Sequence, residues 1–104
     1  MITVLVNFEL PAGLSRADVA ARYSQTAPKY RDAKGLIRKY YLHDPETGKG
    51  GGCYLFENRA DAEAWFSEAT IANLKARYSN VTVTYFETPV LVDNLVPEIV
   101  GAAA

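Results

Sequence analysis

Asn7, Arg38, Lys39, His43 and Trp65 are the side chains of this sequence best suited to chemistry on a small organic molecule. Arg38 and Lys39 are neighbours in an apolar and aromatic run, LIRKYYL, so in an extended chain they project to opposite faces. At least one fits a solvated strand edge. The other can stabilise an enolate or phenolate in a sheltered pocket. Oxygenation without a cofactor requires such an anion, because an electron-rich anion hands an electron to dioxygen directly. His43, beside Asp44, has the pKa range of a general base, although a loop histidine is more often simply exposed. Asn7 interrupts an apolar run with an amide that, if buried, needs either nearby backbone or a pocket ligand as partner. Trp65 stands at helical spacing with core residues, where packing and pocket lining are compatible roles. Among seven tyrosines (Tyr23, Tyr30, Tyr40, Tyr41, Tyr54, Tyr78 and Tyr85) several must lie close together. Tyr23, Tyr41, Tyr54 and Tyr78, with Phe66, are the expected substrate-binding set for a phenol or quinol.

Other chemistries are disfavoured. Cys53 is the only cysteine, which excludes an intramolecular disulfide and reads as a small buried hydrophobe. One cysteine, one histidine and no phosphate-cradling loop leave no expected flavin, haem or metal, and no metal ligands are assigned. The run Gly48-Lys49-Gly50-Gly51-Gly52 enters a strand rather than a helix and lacks the Ser/Thr after lysine that a phosphate loop needs. The segment Lys49–Phe56, KGGGCYLF, shares the frame of the RNA-reading strand of an RRM domain, but Gly51 and Cys53 stand where bases would stack on aromatics. With a formal net charge of -1, no nucleic-acid partner is expected.

These residues need elements to position them. Ile2 to Leu10 is apolar on both alternating sets, the pattern of a central strand. Ser15 and Asp18 form a capping box for a helix carrying Val19, Tyr23, Thr26 and Ala27, which Pro28 ends, leaving a short turn through Tyr30. Leu36 to Leu42 reads as an edge strand, joined through Asp44-Pro45 and Thr47-Gly48 to a strand over Gly51 to Phe56. Asn58 caps the next helix, with Ala62, Trp65, Phe66 and Ala69 as its apolar stripe. A further helix is expected over Thr70 to Tyr78, with Ile71, Leu74 and Tyr78 inward. Val81 to Glu87 alternates as a half-exposed strand that Pro89 breaks, and the terminal GAAA is expected to fray. The order β-α-β-β-α-β is the ferredoxin-like unit, an α+β fold. Residues 1–96 are expected to form its single domain and 97–104 a C-terminal tail.

A chain of 104 residues buries roughly two-thirds of its unfolded surface. With 49% hydrophobic and 22% charged residues there is more apolar material than one small core needs. The bare face of a sheet with helices on one side therefore calls for a second copy, extended by the segment from Pro89 to Val96. The N-terminal run has strand length and no basic n-region, so a cytoplasmic protein with no membrane partner is expected.

Gly35-Leu36 leading to Lys39 and Tyr41, the hairpin into Gly51–Phe56, and the helix with Ala62, Ala64 and Trp65 together resemble the YdhR-like monooxygenases of the dimeric α/β-barrel superfamily. The likeness runs from Ile2 to about Asn94. It implies two ferredoxin-like subunits packed sheet to sheet, each with a pocket between its sheet and its own helices. It also implies a choice among oxygenases without metal or flavin, haem-degrading enzymes, polyketide cyclases and isomerases. In the haem-degrading branch an Asn late in the first strand and a Trp in the second helical region match Asn7 and Trp65. The position of that branch's iron-binding His falls near Lys75, a poor axial ligand while protonated. The leading expectation is a homodimeric, cofactor-independent monooxygenase acting on a small aromatic or polyketide-like molecule. A cyclase or isomerase, and a small-ligand carrier, are the alternatives.

Overall fold

The computed structural model describes residues 1–95 and the backbone of residues 99–101. Its four main strands are β1 (Ile2–Glu9), β2 (Leu36–Asp44), β3 (Lys49–Phe56) and β4 (Ser79–Glu87). They form one antiparallel sheet in the order β2-β3-β1-β4. The two most buried strands, β1 and β3, are thus central, and β2 and β4, which have no fully buried residue, are edges, as the ferredoxin-like reading requires.

The helices α1 (Arg16–Thr26), α2 (Arg59–Trp65) and α3 (Glu68–Arg77) cover one face. Both parts of the expected capping box are present at α1: Ser15 Oγ accepts from Asp18 N, and Asp18 accepts from Ser15 N. At α2, Asn58 Oδ1 accepts from Asp61 N at 2.9 Å. The third helix starts two residues earlier than expected, because Ser67 accepts from Thr70 N and supplies its own N-cap. Ala69 is exposed rather than part of an apolar stripe, since the chain turns at Phe66 between the two helices.

Even-numbered residues of β1, namely Ile2, Val4, Val6 and Phe8, meet Tyr54 and Phe56 of β3 and Val19, Tyr23, Ala62 and Phe66 of the helices in one core. Odd-numbered residues of β1 face the helix-free side. There Tyr40, Leu42 and Phe86 remain 53%, 39% and 51% exposed, around Leu5 and Cys53.

After β4, Val90–Val92 (β5) pairs with Ile99–Gly101 (β6) in a separate two-stranded ribbon. Gly101, expected to fray, closes that ribbon. The proposed boundary at Val96 falls among residues 96–98, which lie outside the described residues, as do 102–104. The ribbon's approach is fixed by Arg38, whose guanidinium donates to Asp93 at 2.7 Å.

Candidate functional site

Tyr23 leaves α1 toward β2, where its hydroxyl donates to the Leu42 carbonyl at 2.9 Å. Three residues on, Thr26 Oγ1 donates to the Tyr23 carbonyl, so the contact of 2.7 Å between Thr26 and Tyr41 has the Tyr41 hydroxyl as donor. Pro28 then forces the chain out of the helix into a 3₁₀ turn, Ala27–Asp32, which delivers Tyr30 over the sheet. The Tyr30 ring centroid lies 6.1 Å from that of Tyr41, 5.8 Å from Tyr54 and 5.0 Å from Trp65.

Lys39 enters the middle of this cluster. A bulge between Leu36 and Arg38 places an extra residue on β2, so that Leu36 opposite Phe56 and Lys39 opposite Tyr54 share the helix-covered side. Plain alternation would have separated them. The Lys39 Nζ sits 3.6 Å from the ring centroids of both Tyr30 and Tyr41 and 4.5 Å from that of Tyr54. None of the ion pairs among the described residues involves it. Burial, and secondarily the like charge of Lys29, pull its pKa from 10.5 to about 7. The ring faces act the other way, since their quadrupoles favour the ammonium. Burial also raises the phenols of Tyr23, Tyr30, Tyr41 and Tyr54, so all four are neutral donors at physiological pH.

The triglycine run is the bed of this cluster. A Cβ on Gly52 would come within 2.8 Å of the Tyr54 ring, and one on Gly50 would meet the Tyr23 hydroxyl and the Phe8 ring. Gly50 and Gly52 are glycines because tyrosines occupy the space above them.

Two spaces adjoin Lys39. An inner cavity of about 50 Å³ lies between sheet and helices, lined in part by Tyr23, Tyr54, Tyr78, Lys29 and Arg77. That volume suits a few waters or a dioxygen-sized molecule. A half-open groove of about 490 Å³ runs along the start of β2, past Arg31, Leu36, Ile37 and Arg38. It is large enough for a bicyclic or tricyclic aromatic. Tyr30, Lys39 and Tyr41 line both, so the amine stands at the wall between them.

The structure brings together only some of the side chains expected in the site. Lys39, Tyr23, Tyr41, Tyr54 and Tyr78 converge. Trp65 backs Tyr30 from behind, with its indole N–H buried and without an acceptor in hydrogen-bonding geometry among the described residues. Asn7 does not join them: as an odd-numbered residue of β1 it is exposed on the helix-free face. Arg38 also faces that side, reaching only the outer groove, and is held by Asp93. His43 lies two residues beyond Tyr41, in a different hollow with Leu10, Pro45 and Glu46 at the sheet rim. Phe66 is a core residue, packed edge-on against Tyr54 and Phe56. Lys75 is exposed, so neither it nor His43 stands where an iron ligand would face the cavity. Among the described residues no three His, Cys, Asp or Glu side chains gather in a way that could hold a metal ion. Tyr30, Thr26, Lys29 and Arg77 belong to the site without having been chosen from sequence. Pro28 and the number of tyrosines pointed toward Tyr30, and helical spacing from Tyr23 toward Thr26, whereas nothing local marked Lys29 or Arg77.

The four-stranded antiparallel sheet, covered by helices on one face, is a ferredoxin-like α+β fold with an aromatic, lysine-containing pocket beneath its helices. The chain belongs to the family described as "Putative mono-oxygenase ydhR", whose profile matches residues 4–92. Solved structures agree on the fold. An antibiotic biosynthesis monooxygenase, so described as putative, from Deinococcus radiodurans superposes with a TM-score of 0.68 at 14% identity, over 89% of this chain and 97% of that one. A variant of MhuD, solved with two manganese protoporphyrin IX molecules per active site, gives 0.68 at 16% identity, over 90% and 100%. The NE2512 protein of unknown function from Nitrosomonas europaea gives 0.65 at 17% identity, over 93% and 94%. No curated protein sequence matches the chain. Among the described residues no helix is long and apolar enough to cross a membrane.

Proposed function

We propose that this monooxygenase acts without metal, flavin or haem on a small aromatic molecule bound in the groove beside β2, with Lys39 as the general base. The supporting observation is the Lys39 amine held among three tyrosine rings, at the wall between the two spaces. An amine with a pKa lowered toward neutrality is in part unprotonated at physiological pH and can take a proton from an activated ring CH₂ or phenol. The ammonium so formed lies beside the new enolate or phenolate and stabilises it. The anion gives one electron to dioxygen. Recombination forms a C–O bond and a peroxide, and loss of water leaves a carbonyl. The net change, CH₂ plus O₂ to C=O plus H₂O, draws every electron from the substrate, so no reductant is needed. Tyr41, whose own hydroxyl proton is committed to Thr26, holds the substrate by its ring, and Trp65 fixes Tyr30.

The protein works as a homodimer formed through the helix-free face. Exposed Tyr40, Leu42 and Phe86 around Leu5 support this reading, as does the ribbon anchored to Arg38.

Oxygen uptake with a panel of anthrones and hydroquinones tests the reading. Uptake should be unaffected by chelator, rise with pH through a pKa well below that of an ordinary lysine, and disappear in Lys39→Met. Undiminished uptake in that variant refutes Lys39 as base. Product without oxygen consumption moves the assignment to a cyclase or isomerase, and saturable binding without turnover moves it to a carrier.

A further inference from the structure

The charges around Lys39 are one-sided. The chain carries 12 acidic and 11 basic side chains, yet neither the inner cavity nor the groove is lined by a single Asp or Glu among the described residues. Both are lined by cations: Lys29 and Arg77 on the inner side, Arg31 and Arg38 on the outer, and Lys39 between. The acids line other hollows, such as Glu9 and Glu46 near His43 and Asp18 on α1. Of the cations, only Arg38 has a carboxylate partner among the described residues, Asp93. Lys29 and Arg31 flank Tyr30 on the 3₁₀ turn, while Arg77 ends α3, so cations from two elements meet at one aromatic site. A neutral aromatic ligand has no use for them. Clustering like charges without counter-ions costs stability, and an anionic ligand removes that cost on binding.

We infer that the substrate carries a carboxylate, being a hydroxylated or enolisable aromatic acid whose ring lies in the groove against Tyr30 and Tyr41 and whose carboxylate is met at its rim by Arg31 and Lys29, the two cations that flank Tyr30. This rests on the function proposed above for the site but concerns recognition alone, so binding can be read without oxygen chemistry. A carboxylate also explains the division of cations: the exposed ones bind a charge already present, and sheltered Lys39 is left to meet the charge that develops during reaction.

The experiment titrates the protein anaerobically with a hydroxynaphthoic acid and with the carboxamide of the same ring, following quenching of Trp65, the only tryptophan. The acid should bind about ten times more tightly or better, a preference that weakens as salt is raised. In Lys29→Gln/Arg31→Gln the ratio of the two affinities should fall to about one, with circular dichroism unchanged because both side chains are exposed. Equal affinities in the wild type, or a preference that survives the double substitution, overturn the inference. Acid-selective binding with no oxygen uptake by any member of the aromatic-acid series would leave it standing while refuting the oxygenase reading. Uptake confined to neutral substrates would do the reverse.

Discussion

Lys39→Met removes a charge from a sheltered site while keeping most of the apolar stem, and its effect on stability should depend on pH in one direction only. In the native protein the Lys39 pKa falls from 10.5 to about 7, whereas in the unfolded chain it returns to the ordinary value. Between those limits the unfolded state binds more protons than the folded state, so this residue makes stability rise with pH. Below pH 7 both states hold the proton, and the full penalty of sheltering an ammonium is present. At about 1.36 kcal/mol per pH unit the displacement is worth roughly 5 kcal/mol, and the ring faces of Tyr30, Tyr41 and Tyr54 return part of that, leaving about 2–4 kcal/mol. Methionine avoids the penalty, so Lys39→Met should be more stable than wild type by about that amount at pH 6. The gap should narrow steadily above pH 7, with about 1 kcal/mol still left at pH 9.5, because it closes only beyond the ordinary lysine pKa. Above pH 10 the raised phenols, Tyr54 foremost, act oppositely: the unfolded state ionises first, and both proteins lose stability. Urea unfolding at half-unit pH steps from 6 to 9.5 measures the gap directly. A constant difference, or one that widens as pH rises, would refute the assignment of a sheltered, unpaired amine.

The remaining expectations concern the bed, the clasp and the outer face of the site. Gly52→Ala places a methyl against the Tyr54 ring and should cost about 1–3 kcal/mol in urea unfolding while lowering oxygen uptake, and an unchanged midpoint would sink the account of the glycine run. Thr26→Val removes the acceptor of the Tyr41 hydroxyl and should cost about 1 kcal/mol, which thermal unfolding will detect. Leu42→Asp places a charge on the exposed apolar face and should yield monomers by sedimentation, whereas a dimer of unaltered affinity would place the interface elsewhere. Single-stranded oligonucleotides should bind no more tightly than micromolar, because Gly51 and Cys53 offer no stacking surface, and a tighter salt-sensitive affinity would contradict this.

The architecture was legible because each signal was local. The Ser15/Asp18 box, the Asn58 cap, Pro28 and the two central apolar strands each act within a few residues and agree with one another. The site was less legible because it depends on which face a side chain takes. Asn7 looked like a buried amide in an apolar strand, but period-two alternation puts it on the same side as Thr3 and Leu5, away from Val4, Val6 and Phe8. A lone strand apolar on both sets cannot say which set meets the helices.

For Arg38 and Lys39 the obstacle was the bulge. Their opposite orientations follow from sequence, but simple alternation from Leu36 would have given the helix-covered side to Arg38. One extra residue reverses the assignment: Lys39 goes under Tyr30, and Arg38 goes to Asp93. The glycines carry the complementary lesson. Gly50 and Gly52 are absences that make sense only once Tyr23 and Tyr54 are seen to occupy the vacated volume. Gly51 faces the other side, where a Cβ would collide with the Val6 carbonyl, and Tyr54 with Tyr30 and Tyr41 encloses the lysine on which the proposed chemistry depends.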